Sequence, residues 1–287
     1  MSKTVVLVTG TNSGFGWLIA NSVAGLGHQV YATMRDVSGK NAEKAVALGQ
    51  VENITVLDVT LTDDSSVQSA VDRILETEGR IDVLVNNAGF SISGVAESFT
   101  TADLQDLYDL NVIAPWRLMK QALPSMRAQA EGLIVNISSG FGRFSAPFAG
   151  MYASSKFALE GLSEGLFYEV RPLGVDVAIV QPGAYPTEIY QKTRIGADAS
   201  VYEGYAAIMQ YPDKMVAAIW QFFETLQPNP QDVADAIVGL IGMGKGERPL
   251  RTVVDPSTGE FVKKANEAVE VEARKGMKAL GMEGLVG

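Results

Sequence analysis

A doubly wound α/β fold, one parallel sheet with helices on both faces, is what this sequence predicts, and three observations predict it. Short β-branched runs alternate with amphipathic stretches as far as residue 180. The strand-like runs are almost continuously apolar, as strands covered on both faces must be. A glycine-rich turn stands at the first strand–helix junction, and right-handed crossovers then place a ligand crevice beyond the strands' carboxyl ends.

The elements follow in order. Thr4–Thr9 reads as a buried strand, and after the glycines Trp17–Leu26 carries a helical pattern. Gln29–Met34 is a second strand, Asn41–Leu48 a helix, Ile54–Leu57 a third strand and Ser65–Thr77 a helix. Ile81–Val85 is the fourth strand, followed by one long helix over Leu104–Gln129, the strand Leu133–Ile137, the helix Met151–Arg171 and the strand Val175–Val180. Past Pro182 the rhythm changes. The region 184–230 is rich in Tyr, Pro and Gly and includes a helical piece at Lys214–Leu226. It is either a lid or a packed extension with Tyr202, Tyr205, Met209 and Trp220 in the core. Val233–Ile241 is helical, Leu250–Val254 a seventh strand, and the tail 259–287 an amphipathic helix with Phe261, Ala265, Ala268 and Val269 on one side. That tail docks on its own domain or across a subunit interface. No repeat or linker divides the chain, so one domain over 1–287 is expected.

Composition narrows the chemistry. At 287 residues with 47% hydrophobic and 20% charged residues, the chain has ample material for a core. It holds no cysteine, which excludes disulfides and thiolate metal sites, and no metal is expected. The single histidine, His28, cannot build a zinc site or a histidine triad and reads as structural. A net charge of −10 argues against nucleic-acid partners. With no long apolar span and no signal-peptide pattern, a cytoplasmic protein with no membrane partner is the expectation. The remaining tools are hydroxyls, lysine, carboxylates and a bound cofactor.

The turn Thr9-Gly10-Thr11-Asn12-Ser13-Gly14-Phe15-Gly16 is suited to a diphosphate. Its glycines permit a tight turn and close backbone approach, and the helix N-terminus supplies amides and a positive dipole. Further on, Tyr152 and Lys156 lie four apart on a predicted helix and share a face. Of nine tyrosines only Tyr152 has a lysine at that spacing. An ammonium and a cationic ring nearby would each favour its phenolate, moving a pKa near 10 toward the working range.

The glycine spacing is Gly-x-x-x-Gly-x-Gly, and with the motifs that follow it resembles the short-chain dehydrogenase/reductase family. Asp58-Val59 follows the third strand, Asn86-Asn87-Ala88-Gly89 closes the fourth, and Asn111 lies in the long helix. Ser139 follows the fifth strand, Tyr152-x-x-x-Lys156 opens the next helix, and Pro182-Gly183-x-x-x-Thr187 follows the sixth. The likeness covers residues 4 to 187 and thins beyond them. It implies a Rossmann-like fold and a nicotinamide cofactor bound by Gly10, Asn12, Ser13, Gly14, Phe15, Gly16, Arg35, Asp58, Val59, Asn87, Ala88, Gly89, Tyr152, Lys156, Pro182, Gly183 and Thr187. It implies Asn111, Ser139, Tyr152 and Lys156 as the catalytic set. Tyr152 is then the proton donor to a carbonyl oxygen that Ser139 orients. Lys156 also binds the nicotinamide ribose, and Asn111 holds a water beside it. A purely structural, backbone-bonding Asn111 is the alternative.

Arg35, at the end of the second strand, suits the 2′-phosphate of NADP(H), while Asp36 directly after it keeps NAD(H) open. Phe141, Phe144, Phe148, Tyr185 and Tyr190 flank the catalytic residues and suggest an apolar carbonyl or alcohol. Arg143 could bind a carboxylate, a phosphate or only Glu188. The leading expectation is an NADP(H)-dependent carbonyl reductase. An NAD(H)-linked hydroxysteroid or polyol dehydrogenase, and a non-catalytic NADP-sensing regulator, are the competing readings. The family likeness implies a homodimer or homotetramer built on 104–129 and 151–171.

Overall fold

The computed structural model describes residues 3–285. Strands β1 (Val5–Thr9), β2 (Gln29–Met34), β3 (Ile54–Asp58), β4 (Val83–Asn86), β5 (Gly132–Ile137), β6 (Val175–Pro182) and β7 (Arg251–Val254) form one sheet. Its order is β3-β2-β1-β4-β5-β6-β7, and every pairing is parallel. The chain winds outward from β1 in one direction and returns from β4 in the other, so a crevice opens between β1 and β4 at their carboxyl ends.

Nine helices accompany the strands among the described residues. They are α1 (Gly14–Gly25), α2 (Ala42–Gly49), α3 (Asp64–Glu78), α4 (Thr101–Tyr108), α5 (Ala114–Gln129), α6 (Gly150–Val170), α7 (Gln210–Leu226), α8 (Gln231–Gly242) and α9 (Gly259–Ala279). Alternation along each strand builds two cores. Val6, Val8, Val30 and Val135 face α1 and α8, packing on Ile19, Val23, Val233 and Ile237. Val5, Leu7, Leu84 and Ile134 face α3, α5 and α6, packing on Val71, Ile74, Met119 and Phe167. Each such side chain contributes about 1.5–3 kcal/mol on leaving water.

The predicted strands all form, within two residues of their expected ends. The single helix predicted over 104–129 does not. It runs as α4, a π turn over Asp109–Ile113, then α5. A π turn adds one residue to the helical register and re-aims its side chains. Here it carries Asn111 inward, 1% exposed.

His28 is structural, its Nδ1 accepting the Thr4 amide at 3.4 Å. In the 184–230 region, Tyr202, Tyr205 and Met209 are only half-buried and Trp220 is 57% exposed, so the core-packing alternative fails there. No residue of α7 is buried. The tail helix does pack on its own domain, but through Val262 and Asn266. Phe261 is 68% exposed, so the face predicted for docking is not the one that packs on this domain.

Candidate active site

The crevice at the switch point is built by three loops that abut. The Thr9 hydroxyl accepts the amides of Asn87 and Ala88, both at 3.0 Å. The Asn87 side chain donates to the carbonyls of Thr9 (2.8 Å) and Gly10 (3.2 Å). Its amide is therefore spent on the glycine loop, and Asn87 serves as a stitch between β1 and β4. A Cβ on Gly10 would lie 2.9 Å from Ala88 Cα, with φ at +68°, so only glycine fits. A Cβ on Gly16 would meet the Gly10 carbonyl and the Asn87 amide. Ser13 precedes α1 without a side-chain cap, so the first amides of that helix face the crevice. A floor of backbone with positive dipole and no side chains fits a diphosphate. Thr187 closes over it, 3.5 Å from where a Gly14 Cβ would stand.

At the end of β2, Arg35 is exposed while Asn41 holds its carbonyl at 2.7 Å. Asp36 adopts φ +55° and turns its carboxylate into its own loop, where it accepts the Lys40 amide at 2.8 Å. Asp58 accepts the amides of Asp36 (2.9 Å) and Val37 (3.3 Å), and Val59 is buried with its amide on Met34. Asp58 thus braces the loop that carries Arg35.

The predicted catalytic residues converge on the other wall. Ser139 leaves β5 in extended backbone, its hydroxyl accepting the Phe141 amide at 3.2 Å and lying beside the phenol of Tyr152 from α6. Burial pushes that phenol up to about 12, the Ser139 hydroxyl beside it pulling the other way. Lys156 lies one turn on, its Nζ 5.8 Å from the Tyr152 ring and 2.9 Å from the Ile137 carbonyl. Burial brings its ammonium down to about 8, with the Glu160 carboxylate opposing. So the downward shift expected for Tyr152 is absent from the protein alone, because desolvation of the phenolate outweighs the pull of Ser139.

Asn111 clamps Phe90 in both directions: Oδ1 accepts its amide at 3.1 Å, and Nδ2 donates to its carbonyl at 3.0 Å. Nδ2 also reaches Ser155 at 3.1 Å, whose hydroxyl bonds the Tyr152 carbonyl at 2.7 Å. Gly89 passes between, a Cβ there falling 3.0 Å from Asn111 Oδ1 and 3.9 Å from Lys156 Nζ. The backbone-bonding role of Asn111 is therefore present in the geometry. Pro182 ends β6, and Gly183 sits under Asp255, leaving no space for a side chain.

Two substrate-side expectations are corrected. Tyr185 is 2% exposed and stacks edge-on against Phe15 at 5.6 Å, so it belongs to the core. Arg143 does not meet Glu188. Its Nε donates to Asn266 at 2.8 Å and lies 3.7 Å from Glu160, while Glu188 pairs with Lys44 and Lys192. Phe141 stands edge-on to Tyr152 at 6.4 Å and to Phe144 at 5.4 Å. Tyr190 is raised by burial and by the neighbouring Tyr152, and its ring meets Phe223 of α7 at 5.5 Å. Beside this wall an apolar cleft of about 270 Å³ is lined by Ile92, Val95, Phe99, Phe148 and Met151, with Tyr205 and Ile208 from the 184–230 region.

The sequence reading missed a buried network behind Ser139. Glu160 accepts from Ser138 (2.9 Å), Gln181 (2.7 Å) and Arg251 (3.0 Å), and Asn266 donates to Gln181 at 2.7 Å. A glutamate inside an apolar helical stripe was the available signal.

A doubly wound sheet, a side-chain-free anion floor and a Ser–Tyr–Lys wall together define a nucleotide-binding oxidoreductase. The short chain dehydrogenase family model matches residues 4–197. The chain is 36% identical to a 3-ketodihydrosphingosine reductase of Bacteroides thetaiotaomicron over 89% of each chain. It is also 36% identical to human retinol dehydrogenase 8, covering 86% of this chain and 79% of that one. A solved short-chain dehydrogenase from Streptomyces avermitilis superposes with a TM-score of 0.77 at 32% identity, over 98% of this chain and 97% of that one. The chain belongs to the short-chain dehydrogenase/reductase family. Solved relatives hold NADP in some cases and NAD in others. Among the described residues, no helix is long and apolar enough to cross a membrane.

Proposed function

We propose that this protein is an NADP(H)-dependent oxidoreductase acting on an apolar ketone or aldehyde, and on the matching secondary alcohol in reverse. One observation carries the reading: a phenol that keeps its proton, with the Ser139 hydroxyl and Lys156 beside it, lies on the wall of the crevice whose floor suits a diphosphate.

A nicotinamide cofactor supplies the hydride when bound. Everything else falls to the chain's own groups. Gly10, Gly14 and Gly16 keep the floor open for the diphosphate, with Asn12, Ser13 and Phe15 in the same turn. Ala88 and Gly89 give the ribose and ring a flat backbone wall, and Pro182, Gly183 and Thr187 frame the nicotinamide end. Ser139 orients the carbonyl oxygen, and Tyr152 releases its proton to that oxygen as the alcohol forms. Lys156 supplies the positive charge that steadies the phenolate left behind. Asn111 positions Phe90 and, through Ser155, the first turn of α6.

Arg35 is the reason to prefer NADP(H). Asp36, the residue that would accept ribose hydroxyls, has its carboxylate tied into its own turn. Arg35→Ala is expected to weaken NADPH by about 10–100-fold and NADH hardly at all. Binding titrations with both cofactors check this, and equal losses for the two would exclude the assignment.

The apolar cleft and the relatives' names, a keto-lipid reductase and a retinol dehydrogenase, support an apolar carbonyl. A panel of ketones and aldehydes run with NADPH and with NADH tests substrate class and cofactor together. No turnover with any carbonyl would leave the enzyme reading without support. On the solvent side, Ile113, Trp116 and Phe157 are 43%, 39% and 44% exposed. They support a homodimer or homotetramer through α5 and α6, and a monomeric elution volume in gel filtration would exclude that.

A further inference from the structure

The segment from Thr187 to Arg194 forms a strap across the crevice. At one end Thr187 covers Gly14, and Lys192 reaches the Ser13 hydroxyl at 3.3 Å. At the other, the Thr193 and Ser91 hydroxyls bond at 2.6 Å, the Arg194 amide meets the Ser91 carbonyl at 3.0 Å, and its guanidinium lies 4.4 Å above the Phe90 ring. The strap therefore joins the glycine loop to the loop after β4, over the floor that suits a diphosphate.

In its middle is an unequal ion cluster. The Glu188 carboxylate holds two ammonium groups, Lys192 at 2.5 Å and Lys44, from α2, at 3.1 Å. Two cations share one anion beside the uncapped first turn of α1, so the local charge stays positive. The three side chains are 39%, 50% and 41% exposed, respectively. Ion pairs this exposed add little to stability, so partner exchange within the cluster is easy.

We propose that Lys44 and Lys192 grip the diphosphate of the bound dinucleotide, and that Glu188 is an internal anion which the diphosphate displaces. This rests on the dinucleotide reading above but not on the choice between NADP(H) and NAD(H), because both carry the diphosphate. A diphosphate offers each ammonium its own charged oxygens, and charge-assisted bonds of this kind are stronger than a shared carboxylate allows. Transfer of Lys44 and Lys192 to the cofactor would leave the strap tied to the ligand itself. The crevice would then close around a bound dinucleotide and relax when it leaves.

Fluorescence titration of NADPH and NADH tests the idea without turnover, using wild type, Lys44→Ala, Lys192→Ala, Lys192→Arg and Glu188→Gln. All three positions are open to solvent, and thermal unfolding checks that each variant folds. Each alanine variant is expected to raise the Kd for both cofactors about tenfold, with Lys192→Arg close to wild type. Glu188→Gln is expected to tighten both, since a competing anion is gone. Unchanged affinity in the alanine variants would overturn the proposal. So would a Glu188→Gln loss as large as theirs, which would make Glu188 a strut. Wild type that prefers NADH, with the lysine losses intact, would overturn the NADP(H) preference and support the strap. Wild type that binds neither dinucleotide would overturn the reading beneath both.

Discussion

Tyr152→Phe is expected to lower kcat for carbonyl reduction by about 10²–10⁴-fold while dinucleotide affinity stays close to wild type. The substitution keeps the ring, and with it the edge-on contact to Phe141 at 6.4 Å, and removes only the hydroxyl beside Ser139. What is lost is the proton that must reach the carbonyl oxygen as hydride arrives at carbon. The pH dependence has a definite sign. With the phenol at about 12, the acid form needed for reduction is present throughout the neutral range. Lys156, at about 8, is an ammonium below that value and neutral above it. Reduction should therefore be flat below about pH 8 and fall above it as the cation beside the phenol is lost. Alcohol oxidation needs the phenolate as base, so it should rise with pH. Rate profiles in both directions check this. A phenylalanine variant with undiminished kcat, or reduction that climbs with pH, would remove Tyr152 from the role.

Much of this arrangement was legible because its signals are local. Strands buried on both faces have to be apolar, so β1, β2, β5 and β6 announce themselves. The glycine spacing marks where backbone must approach backbone, as Gly10 does against Ala88. Tyr152 and Lys156 share a helix, so their spacing alone brings them together. Less legible were features whose cause lies across the fold. The π turn around Asn111 depends on that side chain finding Phe90 and Ser155, and apolar periodicity carries no trace of it. Arg143 looked available to substrate because its partners, Asn266 and Glu160, are far away in sequence. Tyr185 sits two residues from a predicted contact, yet the path after β6 turns its ring into the core against Phe15. Asp58, expected at the cofactor, also takes two amides of the β2–α2 loop, a bracing part that its sequence neighbours do not show.

Glu160→Ala is expected to destabilise the protein by about 3–5 kcal/mol, which is large beside the stability of an ordinary domain. The carboxylate is 2% exposed and is the shared acceptor for Ser138, Gln181 and Arg251. Its removal leaves Arg251 with only Glu164 and Arg143 with no counterion, in a site where one Arg143 nitrogen, Nη2, already lacks a partner. Ser138 and Gln181 lose acceptors at the same time, and burial makes each unmet bond costly. Chemical denaturation measures the loss, and an unfolding midpoint equal to wild type would contradict it. Glu160→Gln separates charge from shape, since the amide oxygen can still accept from Ser138 or Gln181. In this variant the carboxylate that holds the Lys156 ammonium up is gone, so the Lys156 pKa should fall further below its ordinary value. The alkaline fall of the reduction profile should then begin at lower pH than in wild type. A destabilised Gln variant with an unmoved profile would confine Glu160 to a structural part. A shifted profile would join Lys156, the turn after Ser139, β7 through Arg251 and α9 through Asn266 into one electrostatic unit. The carboxyl-terminal part of the chain, where sequence resemblance is weakest, would then be setting the charge on the catalytic wall.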